Sequence, residues 1–136
     1  MKKSIKLLDS QKKDLEKHAQ NEYPNESCAI LIGHENENEW TVEDIFLTEN
    51  TSRSKVTFTI SPEEEFLIDQ KARKMNMEII CIFHSHPESD AIPSMTDRKF
   101  MDVNPFPWII YSGKTKEMNC FVLNNENLEQ IRITES

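Results

Sequence analysis

Glycine and cysteine are scarce in this chain and positive charge is outnumbered by negative, and each shortfall excludes something. With 2 glycines in 136 residues, 37% hydrophobic and 29% charged content, and no low-complexity tract, the composition is that of a compact soluble protein at the polar end of the range. Sixteen Lys and Arg against 24 Asp and Glu give a net charge of −8, which argues against a generic nucleic-acid binder, because phosphate contacts require clustered cations. The amino-terminal lysines Lys2, Lys3, Lys6, Lys12, Lys13 and Lys17 alternate with acids and read as a solvated helix face. Cys28, Cys81 and Cys120 are odd in number and each sits in an apolar run, so no disulfide framework is expected. No apolar signal segment follows Met1-Lys2-Lys3. The longest apolar runs, Cys28 to Ile32 and Ile79 to Phe83, fall far short of the roughly 20 residues of a membrane span. The expectation is one cytoplasmic domain over residues 1–136, long enough to bury about two-thirds of the surface its unfolded chain would expose.

What is present alternates between helix and strand signals without an internal repeat. Ser10 is a candidate cap for a first helix running to Glu22, with Leu15 and Ala19 as its inward stripe and Pro24 ending it. Cys28 to Ile32, ended by Gly33, suits a strand buried on both faces. Asn36 to Glu39 is a polar turn. Trp40 to Leu47 and the alternating Lys55 to Ile60 read as further strands, joined by the polar loop Thr48 to Ser54. Ser61-Pro62-Glu63-Glu64 is a helix start with Ser as cap, Pro at the first helical position and Glu64 placed to close a capping box; that helix should reach Met75. Met77 to Phe83 is the next strand and delivers the chain to His84. A short helix from Ser94 to Asp102 follows. Strands at Pro107 to Ser112, Met118 to Leu123 and Leu128 to Ile133 complete the series, with turns at Ser112-Gly113-Lys114 and Asn124-Asn125.

The chemistry concentrates in His84-Ser85-His86-Pro87 with Ser94 and Asp97 downstream. In an extended segment His84 and His86 project from one face, roughly 6.6 Å apart at about 3.3 Å per residue. With a carboxylate eleven residues on they can close on one divalent ion, and a His₂-carboxylate set leaves a fourth position open for water, the arrangement of a catalytic zinc site. Blander readings exist for each residue. His18 and His34 suit surface or hydrogen-bonded core positions, and Ser94-x-x-Asp97 is also a helix-capping pattern. That pattern is compatible with a metal site, since a cap fixes the rotamers a ligand needs held. By chance the joint pattern should arise on the order of 10⁻⁵ times per chain of this composition. Other zinc signatures fail: no His follows His34-Glu35 at the spacing of a His-Glu-x-x-His helix, and no Pro-Cys-x-x-Cys is present.

On these residues the chain resembles the JAMM metalloproteases, also called the MPN+ or JAB family. Their motif is an upstream Glu, His-x-His-Pro and Ser-x-x-Asp, matched without a gap by His84, His86, Pro87, Ser94 and Asp97. The family's Glu opens a strand in a Pro-x-Glu context ending in Gly, which Pro24-Asn25-Glu26 through Gly33 reproduces, so Glu26 carries over. The resemblance spans the first helix through the strand at Met118 and implies an α/β fold, a mixed central sheet flanked by helices, related in layout to the cytidine-deaminase fold. Cys28-Ala29 and Ile80 to Phe83 stand where the family often has glycine, replacements that touch packing rather than ligands. The long insertions of eukaryotic members are missing, which implies a minimal prokaryotic form.

The resemblance further implies one Zn²⁺ held by His84, His86 and Asp97, Glu26 as general base, Ser94 as donor to the oxyanion, and Ser85 as a structural neighbour. It implies cleavage of the peptide or isopeptide bond after the Gly-Gly tail of a ubiquitin-like protein, with the tail adding as a strand between Thr48–Lys55 and Glu88–Pro93. A peptidase for a sulfur-carrier protein with the same tail shares every one of these residues. An inactive MPN-type binding module predicts no zinc, and a zinc deaminase predicts ammonia release from nucleosides. Neither nucleic acid nor membrane is expected as a partner, and the oligomeric state is left open.

Overall fold

The computed structural model describes residues 3–135. Its elements run β1 (Ser4–Leu7), α1 (Asp9–Glu22), β2 (Cys28–Glu35), β3 (Glu39–Thr48), α2 (Pro62–Lys74), β4 (Glu78–His86), α3 (Met95–Val103), β5 (Trp108–Ser112), β6 (Met118–Asn124), β7 (Asn127–Ile131) and β8 (Ile133–Glu135). The strands form one mixed sheet in the order β7-β6-β5-β4-β2-β3-β1-β8, with β4–β5, β1–β3 and β1–β8 parallel and the other pairs antiparallel. The last two strands are separated by Arg132 alone, one pairing with β6 and the other with β1. A single segment therefore joins the two ends of the sheet and the sheet must curl. Among the described residues no helix is long and apolar enough to cross a membrane.

Each face of the sheet has its own core. Leu15 and Ala19 of α1 pack with Ile5, Leu7, Leu31, Phe83 and Ile109 on one face. Ile68 and Ala72 of α2 and Met101 of α3 pack with Ile30, Ile82, Trp108 and Ile110 on the other. Cys28 to Ile32 is fully buried, as its unbroken apolar run requires of a strand covered on both sides. Two bulges set the phase. Between β2 and β4 the register jumps from Leu31↔Cys81 to Ile32↔Ile79, so Ile80 is supernumerary and Ile79 shares a face with Ile82. Alternation from Ile82 then carries His84 and His86 to the face covered by α2 and α3. Between β2 and β3 the jump lies at Ile32/Gly33. There a Cβ on Gly33 would stand 1.9 Å from the Thr41 carbonyl oxygen, so no larger residue fits without moving backbone.

Several expectations are corrected. Ser4–Leu7 is a strand that the lysine-rich start concealed, so Lys6 lies in β1, Lys3 precedes it, and only Lys12, Lys13 and Lys17 belong to α1; Lys2 lies outside the described residues. α1 begins at Asp9, one residue ahead of the proposed Ser10 cap, and Gln11 Oε1 accepts the Leu8 N–H instead (3.0 Å). Lys55 to Ile60 forms no strand: residues 55–56 are a bend, residues 57–60 join no ladder, and Phe58 packs on the α2–α3 face. Ser61 caps α2 by accepting the Glu64 N–H (3.0 Å), whereas the Glu64 carboxylate turns to the Glu49 N–H (3.4 Å) rather than closing the box. The Leu128 to Ile133 strand is two strands, β7 and β8. His84 and His86 lie inside β4 rather than after it, because Cys28 and Ile110 pair His84 on either side.

Candidate metal centre

β4 supplies two histidines to one face, and the start of α3 supplies the carboxylate. His84 Nε2 and His86 Nε2 are 3.1 Å apart, and each lies 3.1 and 3.0 Å, respectively, from the same oxygen, Asp97 Oδ2. All three residues are buried, and they are the cluster of potential metal ligands found among the described residues. Three donor atoms at mutual distances near 3 Å approach the edge length of about 3.3 Å that a tetrahedral ion with bonds of about 2.0–2.1 Å imposes on its ligands. The donor set fits zinc by chemistry as well: two imidazoles and one carboxylate, with a further position left for water.

The supports differ from ligand to ligand. His86 Nδ1 donates to the Asp90 carbonyl (2.8 Å), which in the neutral imidazole leaves Nε2 with its lone pair toward the cluster, whereas in the protonated ring Nε2 donates to Asp97 Oδ2. His84 is held by aromatic rings: Phe58 stacks on it at 4.8 Å and 24°, and Trp108 meets it edge-on at 5.7 Å. Its Nδ1 is buried without a protein partner. Asp97 Oδ2 also accepts the Ser94 N–H (2.9 Å) while Ser94 Oγ accepts the Asp97 N–H (3.0 Å). The capping box of α3 thus orients the carboxylate, and the Ser94 hydroxyl, on an exposed residue, keeps its own proton free to donate. The loop after His86 is pinned by Ser112 Oγ on the Ser89 carbonyl (2.6 Å) and by Asn119 on the Ala91 carbonyl (3.1 Å).

Glu26 approaches the cluster from the segment just ahead of β2, two residues before that strand begins. Cys28 pairs with His84, and the next positions, Ser27 and Ser85, are joined by hydrogen bonds from Ser27 N and Ser27 Oγ to Ser85 Oγ at 2.8 and 2.9 Å. Continuing that register sets Glu26 opposite His86, on the same face. Ser85, on the reverse face, is a structural clamp between the two strands. Glu26 is 2% exposed and its Oε1 has no hydrogen-bond partner. Burial pushes its carboxyl up to about 8, with the His86 charge pulling down and the Asp97 charge pushing up. A divalent cation at the cluster would favour its ionised form. Burial depresses His84, against the opposing pull of Asp97. For His86 burial is outweighed by the hydrogen bonds to Asp97 and Asp90 and by the charges of Asp97 and Glu26, so its pKa rises. Asp97 resists the upward effect of burial: the hydrogen bonds from both histidines and Ser94 hold it well below the ordinary carboxylate range.

The five residues singled out from the sequence are therefore brought to one place, while His18 and His34 are not. His18 Nε2 contacts the Cys28 and Thr48 carbonyls (3.0 and 3.3 Å), and His34 is exposed at the end of β2. Phe58 and Trp108, the aromatic wall of His84, carry no site signal in the sequence: the alternation around Phe58 resembles a strand interior, and Trp108 sits in an apolar run.

Comparison with known proteins agrees with this geometry. Residues 10–124 match a family described as prokaryotic homologs of the JAB domain. The chain is similar to a protein named desampylase from Pyrococcus furiosus, 32% identical over 109 residues that cover 79% of this chain and 74% of that one. It is also similar to the CysO-cysteine peptidase of Mycobacterium tuberculosis, 29% identical over 82 residues, covering 60% of this chain and 55% of the relative. A solution structure of a Desulfitobacterium hafniense protein superposes with a TM-score of 0.86 at 25% identity, covering 97% of this chain and 92% of that one.

Proposed function

This chain belongs to the prokaryotic JAB-domain family, and from that premise we propose that it is a zinc-dependent hydrolase of the peptide or isopeptide bond following the Gly-Gly tail of a ubiquitin-like protein. The observation that carries the reading is the convergence of His84 Nε2, His86 Nε2 and Asp97 Oδ2 within about 3 Å of one another, beside a buried Glu26 whose Oε1 has no hydrogen-bond partner and whose carboxyl feels the charges of His86 and Asp97. His84, His86 and Asp97 would hold the ion. When bound, zinc supplies Lewis-acid chemistry, activating water for attack and polarising the scissile carbonyl.

The remaining steps belong to the chain's own side chains. Glu26, ionised, takes one proton from the attacking water as the C–O bond forms. It returns that proton to the departing lysine or α-amine nitrogen as the C–N bond breaks, so the carboxylate is regenerated. The Ser94 hydroxyl donates to the carbonyl oxygen as that oxygen gains charge, a contact that strengthens only toward the transition state. The polar segment 48–55, with residues 56–60 that follow it, and the pinned loop 88–93 are the walls we assign to the tail groove. Residues 1–136 are taken as one domain, and a cytoplasmic setting is supported by three buried thiols, none of them in a disulfide.

The similarity to a CysO-cysteine peptidase favours a second reading, release or trimming of a sulfur-carrier protein with the same tail. The two separate in one experiment: a ubiquitin-like protein is joined through Gly-Gly to a lysine side chain in one substrate and to a linear peptide or cysteine in another. Faster cleavage of the isopeptide supports deconjugation, and faster cleavage of the linear junction supports sulfur-carrier processing. In either case Glu26→Gln should retain zinc and lose activity by at least 10²-fold. Wild-type turnover in that variant would remove Glu26 from its assigned role.

A further inference from the structure

Between β3 and α2 lies a polar stretch with one buried polar side chain that the reaction scheme does not use. Asn50 is 3% exposed, and its amide makes every hydrogen bond it can. Nδ2 donates to the Glu26 carbonyl (3.0 Å) and to the Thr57 carbonyl (3.1 Å). Oδ1 accepts from Ser52 N (3.1 Å) and Thr59 N (3.0 Å). Glu26 N, on the other side of the same residue, donates to the Ser54 carbonyl (2.8 Å). The backbone of Glu26 is therefore held on both sides by segment 50–54, and that segment is closed on itself through Asn50.

The same amide bonds flank Phe58, the ring stacked on His84. Thr57 and Thr59, its two neighbours, are both partners of Asn50, so one side chain fixes the backbone of the base and the backbone of the wall against which a ligand histidine rests. We propose that Asn50 is a positioning residue for the hydrolytic reaction, setting the place of the Glu26 carboxylate relative to the His84–His86–Asp97 cluster and tying it to the segment that forms the tail groove. This rests on the functional reading above. Removing the amide leaves Glu26 O, Thr57 O, Ser52 N and Thr59 N without their partner, and displacement of a reacting group by about 1 Å costs on the order of 10²-fold in rate.

The test compares Asn50→Asp, which keeps the shape but turns an oxygen toward the two carbonyls, with Asn50→Ala. The readouts are zinc content, kcat and KM on the Gly-Gly fusions, and amide hydrogen exchange. Both variants should keep one zinc per chain and lose on the order of 10²-fold in kcat with KM within about threefold. Exchange at Glu26, Ser52 and Thr59 should accelerate at least about tenfold while Leu31 and Phe83, in the sheet core, stay as in the wild type. Equal acceleration at the core amides would reduce Asn50 to a general stability role and overturn the proposal. Wild-type kcat with accelerated exchange at Glu26 would overturn it as well. A zinc-loaded wild type that cuts neither fusion counts against the functional reading, and unchanged exchange at Glu26 in both variants then counts separately against the tether.

Discussion

At Ser94 one oxygen carries a structural role and a proposed catalytic one, and substitution separates them. It accepts the Asp97 N–H at the head of α3, and the proposed mechanism directs its proton to a substrate oxygen. Ser94→Ala should therefore cost about 1 kcal/mol of stability through the lost cap and a further 10²–10³-fold in kcat, on the order expected for an oxyanion donor. A chemical melt and single-substrate kinetics check the two effects independently; a variant that loses stability and no rate would leave Ser94 a cap alone. Asp97→Asn keeps the volume but removes the charge on which both imidazoles converge, and zinc content after dialysis should fall well below one per chain. These residues were legible because spacing alone selects them: the period of a strand for His84 and His86, a cap pattern for Ser94 and Asp97. Phe58, Asp90 and Asn50 were not, since an aromatic stack, a backbone carbonyl and a loop amide leave no local signature. Glu26 became visible only through resemblance to a family, one carboxylate among 24 acids.

Among the elements, β2 carries the tightest constraint. It lies between β3 and β4, and the bulges on both sides set which residues face α2 and α3. Gly33→Ala would drive a methyl into the Thr41 carbonyl and should destabilise by about 3 kcal/mol, roughly 10 °C in Tm by calorimetry. A Tm within 2 °C of wild type, to about one-degree precision, would mean that the bulge relaxes freely and does not fix the site's phase. Gly113 is a second such point: its Cβ would lie 2.4 Å from the Pro87 carbonyl oxygen, where the turn after β5 packs against the end of the ligand-bearing strand. The helices and the buried strands β2, β4 and β5 followed from periodicity and caps. β1 did not, because Ser4-Ile5-Lys6-Leu7 is too short and too charged to stand out, and its pairing with β3 and β8 is wholly non-local. The Lys55 to Ile60 strand failed for the converse reason: its alternation is real, but Phe58 is drawn to His84 and Trp108 and not to a neighbouring strand.

On the scale of the whole molecule, closure of the sheet by the 127–135 segment and the two cores on its faces leave Cys28, Cys81 and Cys120 without access to solvent. Burial pushes the Cys28 thiol up to about 12 and holds Cys81 well above its ordinary value, so thiolate is scarce at neutral pH. A thiol reagent should label none of the three in the native protein and all three in denaturant. Prompt native labelling of Cys28 would contradict the packing around the metal cluster. The proposed bond-breaking chemistry rests on a dozen residues of sequence that the fold brings together, whereas the identity of the proposed substrate protein depends on surfaces outside the motif. The most direct measurement of the central claim is elemental analysis coupled to cleavage of the Gly-Gly isopeptide fusion before chelation, after complete chelation, and after zinc is restored. The account predicts about one zinc per chain, loss of at least 10²-fold in rate on its removal and recovery on its return; full activity in the chelated, zinc-free protein would contradict it.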